Sequence, residues 1–280
     1  MSSPSGPQPE RVPRPVGPAL EVPGYEIGPV LGRGSSGIVY RARQLAVDRE
    51  VALKVLHPEL SAKANVVRRL QREPRTTARL AHPNVVSAID MGETGGRWWY
   101  AMELVEGPSL ERRLRSEGRL SERESLRLFI PLCQALEHLW EHGVVHRDVK
   151  PANILIDRNG TARLADLGLA FADDDPTLTK TGGMLGTPHY VSPEQTVDPK
   201  SVDIRSDIWS LGATLFHALC GEPPFAGASS AEVLSAVLYE SIPDPHELEP
   251  ELSKGMDTWF PMPSERCGTG WTRCTPIRPV

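Results

Sequence analysis

His146-Arg147-Asp148-Val149-Lys150-Pro151-Ala152-Asn153 is the stretch on which the reading of this 280-residue chain turns. Eight consecutive positions hold a histidine, two further cations, a carboxylate and an amide. Eighteen residues after Asp148 comes a second short acidic group, Asp166-Leu167-Gly168. Chance does not readily produce this order of residue types, so its surroundings matter.

The segment lies beyond the point where the chain changes character. Before Gly107, short β-branched runs separated by turn residues predict strands over Tyr25–Leu31, Ile38–Arg43, Val51–Leu56, Val85–Met91 and Trp98–Met102, with one basic helix over about 62–80. After Gly107 the pattern is helical. Ser121 with Glu124 has the form of a capping box. Leu126, Phe129, Cys133, Leu136 and Trp140 then follow at helical spacing, with Pro131 expected to kink the helix. A second apolar helix is expected from about Arg205 to Leu219, stopped by Gly221 and Pro223. Strands first and helices second predict an α+β protein with a small antiparallel-sheet lobe and a larger, mainly helical lobe. Residues 1–22, rich in Pro, Ser and Gly, predict a disordered arm.

Gly32-Arg33-Gly34-Ser35-Ser36-Gly37 opens the strand half. In a dinucleotide-binding fold the last glycine of such a run begins a helix. Here Gly37 leads into Ile38-Val39-Tyr40, which favours a strand. The loop therefore joins two antiparallel strands, either as a plain hairpin turn or as a flap whose bare backbone can approach anionic oxygens. Lys54 follows seventeen residues after Gly37, inside the apolar strand Val51-Ala52-Leu53. A phosphate-binding lysine there needs a carboxylate to orient it, and Glu73 on the expected helix is the candidate. Pro74 beside it kinks that helix or leaves the pair imperfectly held.

The octet His146–Asn153 resembles the catalytic loop of protein kinases, residue for residue from Asp148 to Asn153. The chain looks most like the bacterial eukaryotic-like serine/threonine kinases, and the likeness covers about residues 24–240. Asp166-Leu167-Gly168 stands where that family has Asp-Phe-Gly, and Ser192-Pro193-Glu194 resembles the Ala-Pro-Glu end of the activation segment. The resemblance implies a bilobal kinase-like fold and transfer of the ATP γ-phosphate to protein Ser/Thr hydroxyls. Asp148 would orient the substrate hydroxyl and Lys150 would neutralise the transferring group. Asn153 and Asp166 would hold Mg2+, with Mn2+ as an alternative, and Lys54 with Glu73 would complete the catalytic set. Leu31, Gly32, Gly34, Gly37, Val39, Ala52, Lys54, Met102, Glu103, Val105 and Leu155 would form the ATP site. In it Met102 would be the gatekeeper, and Glu103 and Val105 would offer backbone hydrogen bonds to adenine. Thr187 would belong to the substrate loop, and Asp207 would brace the catalytic loop.

The family also implies a switch. Arg147, beside the catalytic aspartate, would pair with phosphate on Thr179 or Thr181, and a transient kinase dimer would place it there. After about Asp257 the helical pattern collapses, and the kinase domain is read as 23–258 with an atypical tail over 259–280. The last helices of the family are missing from the pattern, as after a truncation or frameshift. On that reading Glu194 loses its late arginine and is left partly unpaired, a loss on the order of 3–5 kcal/mol.

Composition narrows the partners. A net charge of −5 argues against nonspecific nucleic acid or membrane binding. No apolar run approaches the length of a membrane span, and no apolar signal-like core opens the chain. The four cysteines, without disulfide or zinc spacing, predict reduced thiols and a cytoplasmic protein. The alternative to an active kinase is a weak or inactive kinase-fold scaffold or nucleotide-binding protein. A dinucleotide-dependent oxidoreductase fails on the strand after Gly37.

Overall fold

A computed structural model describes residues 21–62, 80–167, 188–198 and 202–259. Its first half is a five-stranded antiparallel sheet. The strands are β1 (Tyr25–Arg33), β2 (Gly37–Gln44), β3 (Arg49–Leu56), β4 (Ala88–Thr94) and β5 (Arg97–Glu103), in the spatial order β1-β2-β3-β5-β4. Central β3 is buried on both faces from Val51 to Leu56. Its period of two divides it between two cores. Val51, Leu53 and Val55 join Tyr25, Trp99 and Ala101 on one face. Ala52 and Leu56 join Tyr100 and Met102 on the other. Val22 also packs into the first of these cores. The alternation assigns Lys54 the parity of Ala52, so the fold itself sends this lysine toward the second face.

Sequence and structure part company at β4. The strand was expected from Val85 but begins at Ala88. The preceding backbone is committed elsewhere: Val86 N–H donates to the Leu164 carbonyl and Leu164 N–H to the Asn84 carbonyl, both at 2.8 Å. The side chain of Asn84 adds a bond to the Ala162 carbonyl at 2.8 Å. These bonds tie the sheet lobe to the hairpin β6 (Ile154–Ile156) and β7 (Ala162–Leu164) of the helical lobe.

The helical lobe follows a short turn, α1 (Pro58–Ser61), on the sheet lobe. It comprises α2 (Leu110–Glu117), α3 (Glu122–Glu141), α4 (Pro193–Val197), α5 (Ile204–Cys220), α6 (Ser230–Tyr239) and α7 (Pro245–Leu248). Helix α3 runs as one element through Pro131, where a kink was expected. At its start the Ser121 hydroxyl accepts from Glu124 N–H, but the Glu124 carboxylate pairs with Arg113 at 2.8 Å instead of closing the capping box. Helix α5 ends at Gly221 in a left-handed conformation, φ 82°. Leu132, Leu136, Leu215, Phe216 and Leu219 from α3 and α5 lie at the centre of the large core. Each such buried leucine contributes about 2 kcal/mol of apolar burial.

Candidate active site

The segment His146–Asn153 is irregular, and its shape is set by a single buried carboxylate. Asp207, in the first turn of α5, is fully buried. Its two oxygens accept from His146 N–H and Arg147 N–H, each at 2.6 Å. Burial pushes the Asp207 carboxyl above its ordinary range, opposed by His146 and by these two amide donors. With that anchor in place Arg147 adopts φ 66°, a left-handed conformation that costs a non-glycine residue about 1–3 kcal/mol. Its carbonyl is held from the other side by the Gln195 amide at 2.8 Å. The imidazole of His146 contacts the Ala165 carbonyl at 3.0 Å, reaching the residue before Asp166.

Asp148 is thus presented on a braced loop, and its carboxylate is further fixed. Lys150 Nζ lies 2.8 Å from both oxygens. Asn153 Nδ2 donates to the Asp148 carbonyl and to Oδ2, each at 2.8 Å. A single 3-10 turn, Pro151–Asn153, brings that amide back, and Ala165 N–H bonds the Asn153 carbonyl at 2.8 Å. Asp148, Lys150, Asn153 and the approach to Asp166 therefore form one hydrogen-bonded unit.

Across from it, Lys54 Nζ meets Asp166 Oδ1 at 2.8 Å. The lysine is buried, and the aspartate has φ 65°, a second left-handed non-glycine residue in the site. Burial works against the Asp166 charge, but Lys54 and the Tyr100 hydroxyl together hold its carboxyl below the ordinary range. Tyr100, which the sequence did not single out, donates to Oδ1 at 2.7 Å. The signal for it was present: Tyr100 precedes Met102 by two and so shares its face of β5. Glu73, the expected partner of Lys54, lies outside the described residues, as do Gly168, Thr179, Thr181 and Thr187.

The three loop glycines are not equivalent. A Cβ on Gly37 would stand 2.2 Å from the Val55 carbonyl oxygen, so this glycine allows β2 to lie close against β3. At Gly32 a Cβ would meet nothing within 4 Å, and at Gly34 only the Gly37 carbonyl at 4.0 Å. Those two keep open space over the sheet, as a phosphate cradle requires. Gly34 N–H donates to the Gly37 carbonyl at 2.9 Å, and His57 Nε2 contacts the Gly34 carbonyl at 3.0 Å.

Val39, Ala52, Met102, Val105 and Leu155 gather in one apolar cluster with Ala165. Leu31, expected beside them, is 49% exposed at the end of β1 and is not part of that cluster. Glu103 N–H is taken by the Ser87 carbonyl at 2.9 Å, and its side chain pairs with Arg163. Its backbone N–H is therefore already engaged. Glu194 Oε1 accepts from the Ser206 hydroxyl, and the stretch after residue 259, where a late arginine would be sought, lies outside the described residues. The turn that carries Glu194 is closed by a full capping box between Ser192 and Gln195.

The donor set suits a magnesium nucleotide. Asp166 offers a carboxylate and Asn153 an amide, both hard oxygen donors. Among the described residues no group of three or more His, Cys, Asp or Glu side chains forms a cage that could hold a metal ion.

Comparison with known proteins agrees. The protein kinase domain family matches residues 25–264. The chain is 42% identical over 232 residues to the DNA damage-responsive serine/threonine-protein kinase RqkA of Deinococcus radiodurans, covering 81% of this chain and 34% of the relative. It is 39% identical over 224 residues to the serine/threonine-protein kinase PknB of Mycolicibacterium smegmatis, covering 78% and 35%. It is 36% identical over 233 residues to the serine/threonine-protein kinase PrkC of Bacillus subtilis, covering 83% and 36%. The chain thus spans about a third of the length of the curated relatives it matches. With a bilobal fold, a braced catalytic segment and a lysine–aspartate pair across the cleft, the chain belongs to the protein kinase domain family, among the bacterial eukaryotic-like serine/threonine kinases.

Proposed function

We propose that the chain transfers the γ-phosphate of ATP to serine and threonine hydroxyls of proteins. The observation that carries this reading is the shared hydrogen-bond network of Asp148, Lys150 and Asn153, linked through Ala165 to the Lys54–Asp166 pair. Asp148, partly exposed, accepts and orients the incoming hydroxyl. Lys150, on the same carboxylate, moves toward the transferring phosphoryl oxygens as charge develops there. Lys54 binds the nucleotide phosphates from β3, under the open backbone of Gly32 and Gly34. Asp166 and Asn153 hold Mg2+, with Mn2+ as a substitute. When bound, the metal neutralises charge on the phosphate oxygens. The cluster of Val39, Ala52, Met102, Val105 and Leu155 encloses the adenine.

Regulation belongs to the same reading. Arg147 is held next to Asp148 by Asp207 and Gln195, where a phosphate on Thr179 or Thr181 would find a guanidinium. Autophosphorylation there, in a transient dimer, raises activity. The setting is cytoplasmic, where ATP and reduced thiols such as the free Cys133 and Cys220 occur. Among the described residues no helix is long and apolar enough to cross a membrane.

Phosphoamino-acid analysis of a substrate carrying Ser, Thr and Tyr tests the class. Phosphoserine and phosphothreonine are expected, and phosphotyrosine alone would overturn the assignment. Changing Thr179 and Thr181 together to Ala should lower activity, and full activity with no phosphate on the loop would remove the switch.

A further inference from the structure

Strand β5 reads Arg97-Trp98-Trp99-Tyr100-Ala101-Met102-Glu103, and an aliphatic residue at position 100 would serve the apolar core beside Ala52 and Met102. A phenol there brings a hydroxyl into the site. Tyr100 is only 7% exposed, and a buried hydroxyl needs a partner. It donates to Asp166 Oδ1 at 2.7 Å. Lys54 Nζ reaches the same oxygen at 2.8 Å and lies 5.9 Å from the centre of the Tyr100 ring. Lysine, phenol and carboxylate thus meet at one oxygen, drawn from β3, β5 and the segment after β7.

The arrangement divides the two carboxylate oxygens. Oδ1 takes both donors, while no donor among the described residues reaches Oδ2. Asp166 also sits at φ 65°, where an L-residue has little intrinsic preference to remain. One donor leaves a carboxylate free to turn about its last torsion. Two donors arriving on one oxygen from different strands remove that freedom.

We propose that Tyr100 is a positioning residue for the metal-binding carboxylate: its hydroxyl, together with Lys54, fixes Asp166 so that Oδ2 is held ready for a divalent cation. This rests on the reading of Asp166 as a metal ligand.

Tyr100→Phe deletes the hydroxyl and keeps the ring. The melting temperature of wild type and variant is followed while Mg2+ is titrated in the presence of saturating ADP. Mn2+ binding is followed in parallel by electron paramagnetic resonance. ADP alone should stabilise both proteins equally. The variant should need roughly 3- to 10-fold more metal for the half-maximal shift, the loss of one charge-assisted hydrogen bond being shared between two donors. The Mg2+ concentration for half-maximal phosphate transfer should rise in step, with the ATP KM at saturating Mg2+ unchanged. An unchanged metal midpoint would reduce Tyr100 to a core residue. A lower midpoint would make the hydroxyl a competitor of the metal, and either result overturns the proposal. Asp166→Asn separates the two claims: if it keeps the full Mg2+-dependent shift, the metal assignment fails regardless of Tyr100. If Tyr100→Phe does not fold, Tyr100→Met removes the same hydroxyl with a flexible apolar replacement and is read by the same criteria.

Discussion

The side-chain amide of Asn153 bonds Asp148 twice, to its carbonyl and to its Oδ2, both at 2.8 Å. A residue expected only to hold a metal therefore also clamps the Asp148 carboxylate, the proposed catalytic group. Asn153→Ala should lower kcat by about 100-fold or more, since a misplaced reacting group alone can cost that much. Steady-state kinetics at saturating Mg2+ decide it, and a kcat within a few-fold of wild type would argue that the clamp is incidental.

Asp207 is the buried brace of the loop. Asp207→Ala leaves the amides of His146 and Arg147 without their acceptor and should destabilise the fold by about 2–5 kcal/mol. Asp207→Asn retains one acceptor and should lose less. Urea unfolding of both variants provides the comparison. Equal stability of Asp207→Ala and wild type would mean that the loop is held by other contacts.

The loop glycines predict opposite phenotypes. Gly37→Ala drives a methyl group toward the Val55 carbonyl and should destabilise the sheet lobe. Gly34→Ala enters open space and should leave stability nearly unchanged while weakening nucleotide binding. Thermal unfolding with and without ATP separates them. If both variants behaved alike, the division of labour drawn from the Cβ environments would be wrong.

Acid should destabilise the fold through two partly buried histidines. Burial, and next the charge of His189, lowers the pKa of His217, whose ring nitrogen contacts the Tyr190 hydroxyl at 2.6 Å. Burial, and next His138, lowers that of His82. Between the folded and unfolded values the unfolded chain binds more protons, so stability falls as pH drops below the ordinary imidazole value of about 6.5. The fall ends below the folded values. Denaturant titrations at pH 7.5 and pH 5 should show it, and His217→Gln should reduce the difference. A His217→Gln variant with the wild-type pH dependence would rule out this residue as a cause.

Much of this was legible in the sequence because it is local. The turn signals around β1–β3, the strand after Gly37 and the octet at His146 each need only their neighbours to be read. The alternation of β3 even places Lys54 on the correct face. What escaped depends on long-range closure. The start of β4 is displaced because Asn84 and Val86 bond across to Leu164, 80 and 78 residues away. The Ser206 partner of Glu194 appears only when α4 meets α5, and the Gln195 partner of Arg147 only when α4 meets the segment His146–Asn153. Tyr100 looked like any aromatic residue of a buried strand, because its reach to Asp166 spans both lobes.

The measurement that tests the central claim most directly is transfer of labelled phosphate from ATP·Mg2+ to a protein substrate, comparing wild type with Asp148→Asn. The variant changes one oxygen for an amide in a site that otherwise stays intact. Wild type should transfer phosphate, and the variant should bind ATP equally well while losing about 10²–10⁴-fold in rate. Equal transfer by both proteins, or none by a folded wild type that binds ATP, would contradict a kinase mechanism centred on Asp148.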